Sequence, residues 1–554
     1  MAEDQSVDLQ SLVHAITVRD EHLRTTRSDV EAYWQEISEY VLPRRATFTE
    51  EVSTNVKRNR HILDSTAPRS LELFASFFHT MMSNPARKWF RMGIMGQKVE
   101  NLPAMTRQWL EAVEDRMMAE MEGQSSRLYT QLHTLYLDIG AFGSGVLYED
   151  APFDQLRVQN FHLSDVVWEE NAFGQVHAVY RRFKMSPNQA KSRWPDRDLG
   201  KSLESTRNQP DTLDFIHAVF PATKGFDLAE KLPGDLKLTT AFETPGGPQF
   251  ASVFINATDR RVIEIGTFQE FPYQIPRWYR VQGQPTGRSP AMTVFPDIKM
   301  VNRMMETILR GAEKLVDPPL MVPDGGLVSP IRLFPGGITF TEGQTDPKPL
   351  IPPGASRIDV GDQLLQQRQQ AIRDGFFVSL FLTPDSPVKT ATQVLQEVNE
   401  RNQALAPMLL RQQDELFHGL IARVFGLLNR LGRFPDPPPE LQGQELDISF
   451  VNPLNSSQQQ VEGMGTLRIM ESLAPWAQID PSVFDLFDPD AVAKTVFEAS
   501  GAPASILRSS RAIAGIRQQR QQAQQQQQQF AQATEGMSAA ADLIKATGGG
   551  QRGG

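Results

Sequence analysis

Few residues of this 554-residue chain have the types and spacing that chemistry demands. Gly140-Ala-Phe-Gly-Ser-Gly145 has the glycine density of a phosphate-binding turn. Such a turn needs a strand before the glycines and a helix after them, so that the helix N-terminus faces the phosphate. Here the order is reversed. A helical pattern (Leu128, Leu132, Leu135, Ile139) comes first, a strand pattern follows from Val146, and no Gly-Lys-Ser/Thr appears. The run therefore reads as a tight helix-to-strand turn. Ser144 lacks the G-x-S-x-G frame of a nucleophile elbow, because position 142 is Phe. Glu415-x-x-His418 is half of a carboxylate-bundle metal motif without its second copy, and reads as a solvated helix face. Asp480, Asp485, Asp488 and Asp490 lack the spacing and glycine of a calcium loop and read as caps of short helices. With no cysteine, disulfides, thiolate metal sites and cysteine nucleophiles are excluded. No catalytic residue, metal ligand or cofactor is expected.

The elements that would position any site follow from periodicity. Val18 to Val41 is an amphipathic helix ended by Pro43, and Asp64-Ser-Thr-Ala67 opens a second, stopped by Asn84-Pro85. Trp89-Phe90 reads as a core strand or turn, and helices follow over Met105–Met121 and from Leu128 to Gly140. From Val146 to Phe268 short alternating segments such as Phe215/His217/Val219 lie between Gly and Pro clusters, as in an antiparallel β-rich lobe.

Helix returns after Pro290, with Pro296 expected in its first turn. Ile298, Val301, Met305, Ile308, Ala312 and Leu315 step by three and four and make a heptad seam. Pro296–Val316 would span roughly 31 Å. Asp317-Pro-Pro319 ends it, and the Pro- and Gly-rich stretch to Ser356 holds short strands around Leu333, Ile338 and Phe340. A helix from Asp362 to Phe376, an apolar loop over Phe377–Pro387 and a long helix from Thr390 to Leu431 complete the layout. Thr390 with Gln393 forms a capping-box pair, and Pro407 is expected to kink the long helix. Two helices flanking about forty non-helical residues look built for assembly into an oligomeric ring or conduit. The aromatics Phe376, Phe377 and Phe381 fit either core burial or the apolar tip of a mobile loop.

Composition narrows the partners. The chain is too long for one core, and its net charge is −10. Six basic residues from Arg508 onward outnumber Glu535 and Asp542, so the remainder is more acidic still. An acidic body argues against a tight grip on nucleic acid, but suits a surface along which a polyanion slides. The N-terminus, MAEDQSVDLQ, does not read as a signal peptide, and Phe376–Leu382 is far shorter than the ~20 residues a bilayer requires. Arg517–Gln529 contains ten Gln, and with the Gly-rich terminus it reads as disordered or as a solvated helix.

Several landmarks in joint order carry a resemblance. They are Asp64-Ser-Thr-Ala67; Ser83-Asn-Pro85 before Trp89-Phe90; Gly140–Gly145; Gly287-Arg-Ser-Pro-Ala291 before Pro296-Asp-Ile-Lys299; Asp317-Pro-Pro319; Lys389-Thr-Ala-Thr392; and Val451-Asn-Pro-Leu454. From Val18 to Leu454 the chain resembles the portal, or head-to-tail connector, proteins of short-tailed bacteriophages. That resemblance implies an α+β, mostly helical portal-type fold. Residues 1–145 would be the N-terminal helical part of the wing, 146–289 its β-rich lobe, 290–316 and 357–376 the stem helices, and 317–356 the clip. Residues 377–389 would be the tunnel loop, 390–455 the long wing and crown helix with its exit, 456–516 a helical crown, and 517–554 a disordered tail. It further implies a ring of 12 subunits at one capsid vertex of the virion, assembled in the host cytoplasm and without a membrane. Double-stranded DNA would pass through the channel. The terminase large subunit, a tail adaptor, and the major capsid and scaffolding proteins would be partners. On this resemblance Phe381, Thr383, Asp385, Lys389, Arg368 and Arg373 would face the DNA, and the seam Ile298, Val301, Met305, Ile308, Ala312 and Leu315 would join neighbouring stems. The alternatives are a nucleic-acid-processing enzyme of the packaging apparatus and an internal scaffold without a pore.

Overall fold

A computed structural model of the protein describes residues 2–49, 61–97, 102–200, 212–223, 226–233, 249–323, 332–341, 348–349, 358–381, 391–441, 444, 446–451, 465–473, 475, 487–500 and 513–526. The chain opens with α1 (Ala2–Val41), α2 (Thr66–Met82), β1 (Phe90–Ile94), α3 (Ala104–Glu122) and α4 (Leu128–Phe142). A strand-rich stretch follows: β2 (Val146–Asp150), β3 (Arg157–Phe161), β4 (Val166–Glu170), β5 (Val176–Met185), α5 (Pro187–Arg193), β6 (Leu213–Pro221), β7 (Phe250–Asn256) and β8 (Arg261–Phe268). Short strands β9 (Tyr273–Gln274), β10 (Tyr279–Arg280) and β11 (Gly287–Arg288) lead to α6 (Pro290–Val316). Then come β12 (Leu320–Pro323), β13 (Ile338–Thr341), β14 (Lys348–Pro349), α7 (Ile358–Gly375) and α8 (Val378–Phe381). The last elements are α9 (Ala391–Gln412), a π-turn (Gln413–Phe417), α10 (His418–Arg430), β15 (Leu446–Phe450) and α11 (Pro489–Ser500). Two compact units result: 1–89, 117–433 and 452–454 form the first, and 90–116, 434–451 and 455–554 the second.

The expected β-rich lobe of the first unit is an antiparallel sheet in the order β4-β5-β6-β7-β8. Period-two alternation supplies both of its faces. Ile216, Ala218 and Phe220 of β6 pack with Leu12, Val13 and Ile16 of α1. Leu213 and Phe215 face the other way, onto Ala190 of α5 and Trp194. With both faces covered, β6 is buried along nearly its whole length.

The glycine run 140–145 is a packing device. α4 continues past Gly140 to Phe142, and a Cβ at Gly140 would lie 2.5 Å from Leu71 and 2.9 Å from Phe74 of α2. Gly143 ends the helix at φ +80, left-handed backbone that suits glycine, and a Cβ there would meet the Gly287 carbonyl at 2.5 Å. The helix-to-strand turn read from the sequence is thus the structure's own.

In the second unit β1 pairs antiparallel with β15, Phe90 opposite Phe450 and Ile94 opposite Leu446. Glu114 of α3 accepts from the Met92 amide at 2.8 Å, and Trp109 donates to the Pro435 carbonyl at 2.9 Å. Asp488 caps α11 by accepting from the Asp490 amide at 2.9 Å, as the Asp pattern implied. Residues 513–526 are helical with almost every side chain exposed, as in a solvated helix.

Three other expectations are corrected. α6 starts at Pro290, not Pro296: Ser289 accepts from the Met292 amide at 2.9 Å, and Pro296 lies inside the helix with its ring exposed. Leu333 lies outside any strand, and only Ile338 and Phe340 fall in β13. The apolar loop begins as a helical turn, α8, after Phe377 at φ +61. The Thr390 cap lies outside the described residues.

Candidate assembly interface

α6 and α7 form an antiparallel pair whose two ends live in different surroundings. At its start α6 is a core helix. Ala291, Val294, Phe295, Ile298 and Val301 are buried, and Tyr33 and Tyr40 of α1 meet Phe295 edge-on at 5.7 and 5.9 Å. The Ser289 hydroxyl also donates to the Ala141 carbonyl at 2.8 Å, fixing where the helix leaves the body. α7 returns alongside. Arg368 pairs with Asp297 at 3.2 Å, and a Cβ at Gly375 would lie 2.1 Å from Val294. Towards the far end, a Cβ at Gly361 would lie 3.7 Å from Ile308.

A polar knot anchors the pair. Buried Asn302 accepts the Leu63 and Asp64 amides at 2.8 and 3.1 Å. Its amide donates to the Ile298 carbonyl at 2.9 Å. Asp64 uses one oxygen to cap α2 at the Thr66 amide, 2.8 Å, and the other to accept from Gln369 of α7 at 2.7 Å. The Asp64-Ser-Thr-Ala motif thus ties α2, α6 and α7 together, a role that its reading as a helix start alone did not reveal.

Beyond this knot the pair sheds its cover. Leu309 is 47% exposed, Val316 87% and Leu364 47%. Asp317 ends α6, and β12 then pairs parallel with β13 and antiparallel with β14. Leu320, Leu333, Phe334 and Ile338 are exposed around that small sheet. An apolar run of this extent is what a surface awaiting a partner displays.

The sequence-derived sites divide accordingly. Of the heptad seam, Ile298 and Val301 are buried in the chain's own body. Met305, Ile308 and Ala312 are half-buried, Ile308 facing Gly361 of α7, and Leu315 is exposed. A heptad pattern states that a helix partner exists, not which one, and here much of the seam is filled from within the same chain. Arg368 is engaged by Asp297, whereas Arg373 is exposed at the end of α7. Phe381 closes α8, and Thr383, Asp385 and Lys389 lie outside the described residues.

Two buried groups of ionisable residues escaped the sequence reading. Arg277, 3% exposed, donates to Glu415 from its backbone amide, Nε and Nη2 at 2.8, 3.1 and 3.0 Å. It also pairs with Glu170 and donates to the Gly174 carbonyl at 3.1 Å. Glu415 is therefore no solvated face residue; it clamps the π-turn to the sheet lobe. Glu149 of β2 is fully buried, and neither carboxylate oxygen has a hydrogen-bond partner within 3.5 Å. Burial pushes its carboxyl up to about 8, against smaller opposing pulls from the Arg423 charge and from the neighbouring Gln274 side chain. Both clusters join residues over a hundred positions apart, so no local spacing announces them.

Residues 13–507 match the family described as bacteriophage head to tail connecting protein. The chain belongs to that family. A probable portal protein of Bordetella phage BPP-1 is 28% identical over 539 residues, covering 94% of this chain and 93% of its own length. A portal protein of Salmonella phage epsilon15 is 25% identical over 516 residues, covering 90% and 89%. A solved chain from the virion of native gene transfer agent particle aligns over 78% of this chain and 89% of its own at 11% identity, with a TM-score of 0.33. Within the family, the α+β fold with a sheet lobe and a dominant helical part is the one expected from the resemblance.

Proposed function

We propose that this protein is a phage portal: identical copies close into a ring at one capsid vertex, through which double-stranded DNA enters and leaves. The observation that carries this reading is the family match over residues 13–507, with two relatives bearing the portal name over nine-tenths of the chain. The geometry agrees with it. A helix pair rooted by Asn302 and Asp64, and apolar beyond its root, is a surface that a neighbouring copy can cover.

In this reading α6 and α7 are the stem, 317–356 the clip that meets terminase and then the tail adaptor, and 377–389 the tunnel loop. The strand-rich 146–289 with residues 1–145 is the wing, 390–455 the long helix and its exit, and 456–516 the crown. Contact between copies falls on Leu309, Leu315, Val316 and Leu364. Arg373 and Lys389 are the positive groups offered to DNA by an otherwise acidic chain, which acts as a conduit and docking platform rather than as a catalyst. Negative-stain microscopy with native mass measurement tests the whole reading. A ring with a central hole, of about twelve copies, is expected; a stable lone subunit overturns it. Lys389→Glu should impair packaging or DNA retention, and unchanged packaging removes that residue from the channel.

A further inference from the structure

α9, the π-turn and α10 make one continuous helix, and just before and at the π-turn two residue types occur as adjacent pairs, Leu409-Leu410 and Gln412-Gln413. Leu409 is buried while its neighbour Leu410 is 48% exposed. Gln412 and Gln413 are both buried, and the Gln412 amide donates to the Arg277 carbonyl at 2.8 Å. The Gln413 amide nitrogen has no hydrogen-bond partner.

A π-turn holds one residue more than the α-turn it replaces. If it relaxes to α, the helix before it advances by about 1.5 Å and rotates by about 100°, so that each residue takes the place of the one preceding it. Leu410 then fills the seat of Leu409. Gln413 takes over the bond of Gln412 to Arg277. The exchange of Leu405 for the smaller Ala406 loses packing, which favours the observed register. Pro407 lacks an N–H and removes one helix bond within the same stretch. Holding the extra residue in place are the three donors that Arg277 directs at Glu415. On the other side α10 is seated by buried Leu420, Ile421 and Val424 and by Arg423 on Glu270 at 2.9 Å.

We propose that the π-turn Gln413–Phe417 is a register switch: locked by Glu415 on Arg277, it can release one residue and slide α9 along its axis while α10 stays seated. The step would be carried along α9 as far as Ala391. This inference rests on the helix alone and stands or falls separately from the portal reading.

The chain contains no cysteine, so one introduced thiol reports on one position. In the full-length protein, Leu409→Cys is buried in the observed register and takes the half-exposed place of Met408 in the shifted one. Leu428→Cys in α10, also buried, does not move. The Leu409→Cys thiol should react with a maleimide about tenfold faster than that of Leu428→Cys. Adding Leu410→Glu is harmless in the observed register but buries a carboxylate in the shifted one, so it should slow Leu409→Cys to about the Leu428→Cys rate. Glu415→Gln weakens the lock and should speed Leu409→Cys alone. Equal rates for the two single thiols overturn the switch, as does a Leu409→Cys rate that Leu410→Glu leaves unchanged or raises.

Discussion

Glu149→Gln separates a buried neutral acid from a buried ion. The carboxyl is fully enclosed with no hydrogen-bond partner within 3.5 Å, and burial outweighs the pull of Arg423 and Gln274 to raise its pKa to about 8. The unfolded chain ionises near the ordinary value of 4.5. Below that pH both states hold the proton and the contribution to stability is complete. As pH rises from about 4.5 to about 8 the unfolded state sheds the proton first, and stability falls. At about 1.4 kcal/mol per pH unit the full loss approaches ~5 kcal/mol, and local relaxation would reduce it. The glutamine variant has nearly the same shape and no proton to lose. Its denaturation midpoint, followed by tryptophan fluorescence, should approach or exceed that of the wild type between pH 5 and 9. A variant that loses ground as pH rises would refute the reasoning, because it would mean that Glu149 is ionised in the fold and paired with Arg423.

Other perturbations probe the packing and the assembly surface. Gly140→Ala places a methyl within 2.5 Å of Leu71, and overpacking there should lower stability by roughly 1–3 kcal/mol in thermal unfolding. Asn302→Ala leaves the Leu63 and Asp64 amides unpartnered, at a cost of about 1–3 kcal/mol, with faster hydrogen exchange at the start of α2. Val316→Asp puts a charge on a residue 87% exposed in one copy. It should leave circular dichroism unchanged and abolish or mis-count the rings; intact rings would remove Val316 from the contact.

Elements with strong periodicity were legible in the sequence because burial imposes it locally. The apolar steps of α2 and α4 and the alternation of β6 follow from one covered face or two. Helix starts were less legible. Pro290 and Pro296 both suit a first turn, and the choice falls to Ser289, whose hydroxyl reaches both the Met292 amide and the distant Ala141 carbonyl. The candidate site was legible as a layout, two helices around a non-helical excursion, but not as contacts. The seam of α6 specified a helix neighbour, and only three dimensions show Ile298 and Val301 buried within the chain and Ile308 facing Gly361 of α7, with Leu315 left exposed. Arg277 with Glu415, and Asp64 with Asn302 and Gln369, are pairings across long stretches of chain, which no spacing encodes.

The division of α6 into a covered and an uncovered half explains why a polar knot lies between them. An apolar root would hold the helix pair through surface that could slip, because hydrophobic contact is non-directional. Asn302 and Asp64 are directional: each bond fixes an angle, and all of them are buried or half-buried, where misplacing one leaves an amide unsatisfied. The far half can then expose Leu309 and Val316 on a rod whose orientation is set before any neighbour arrives. The ring we propose would demand this, since a small angular error at each of many repeated contacts accumulates around the circle and leaves it open.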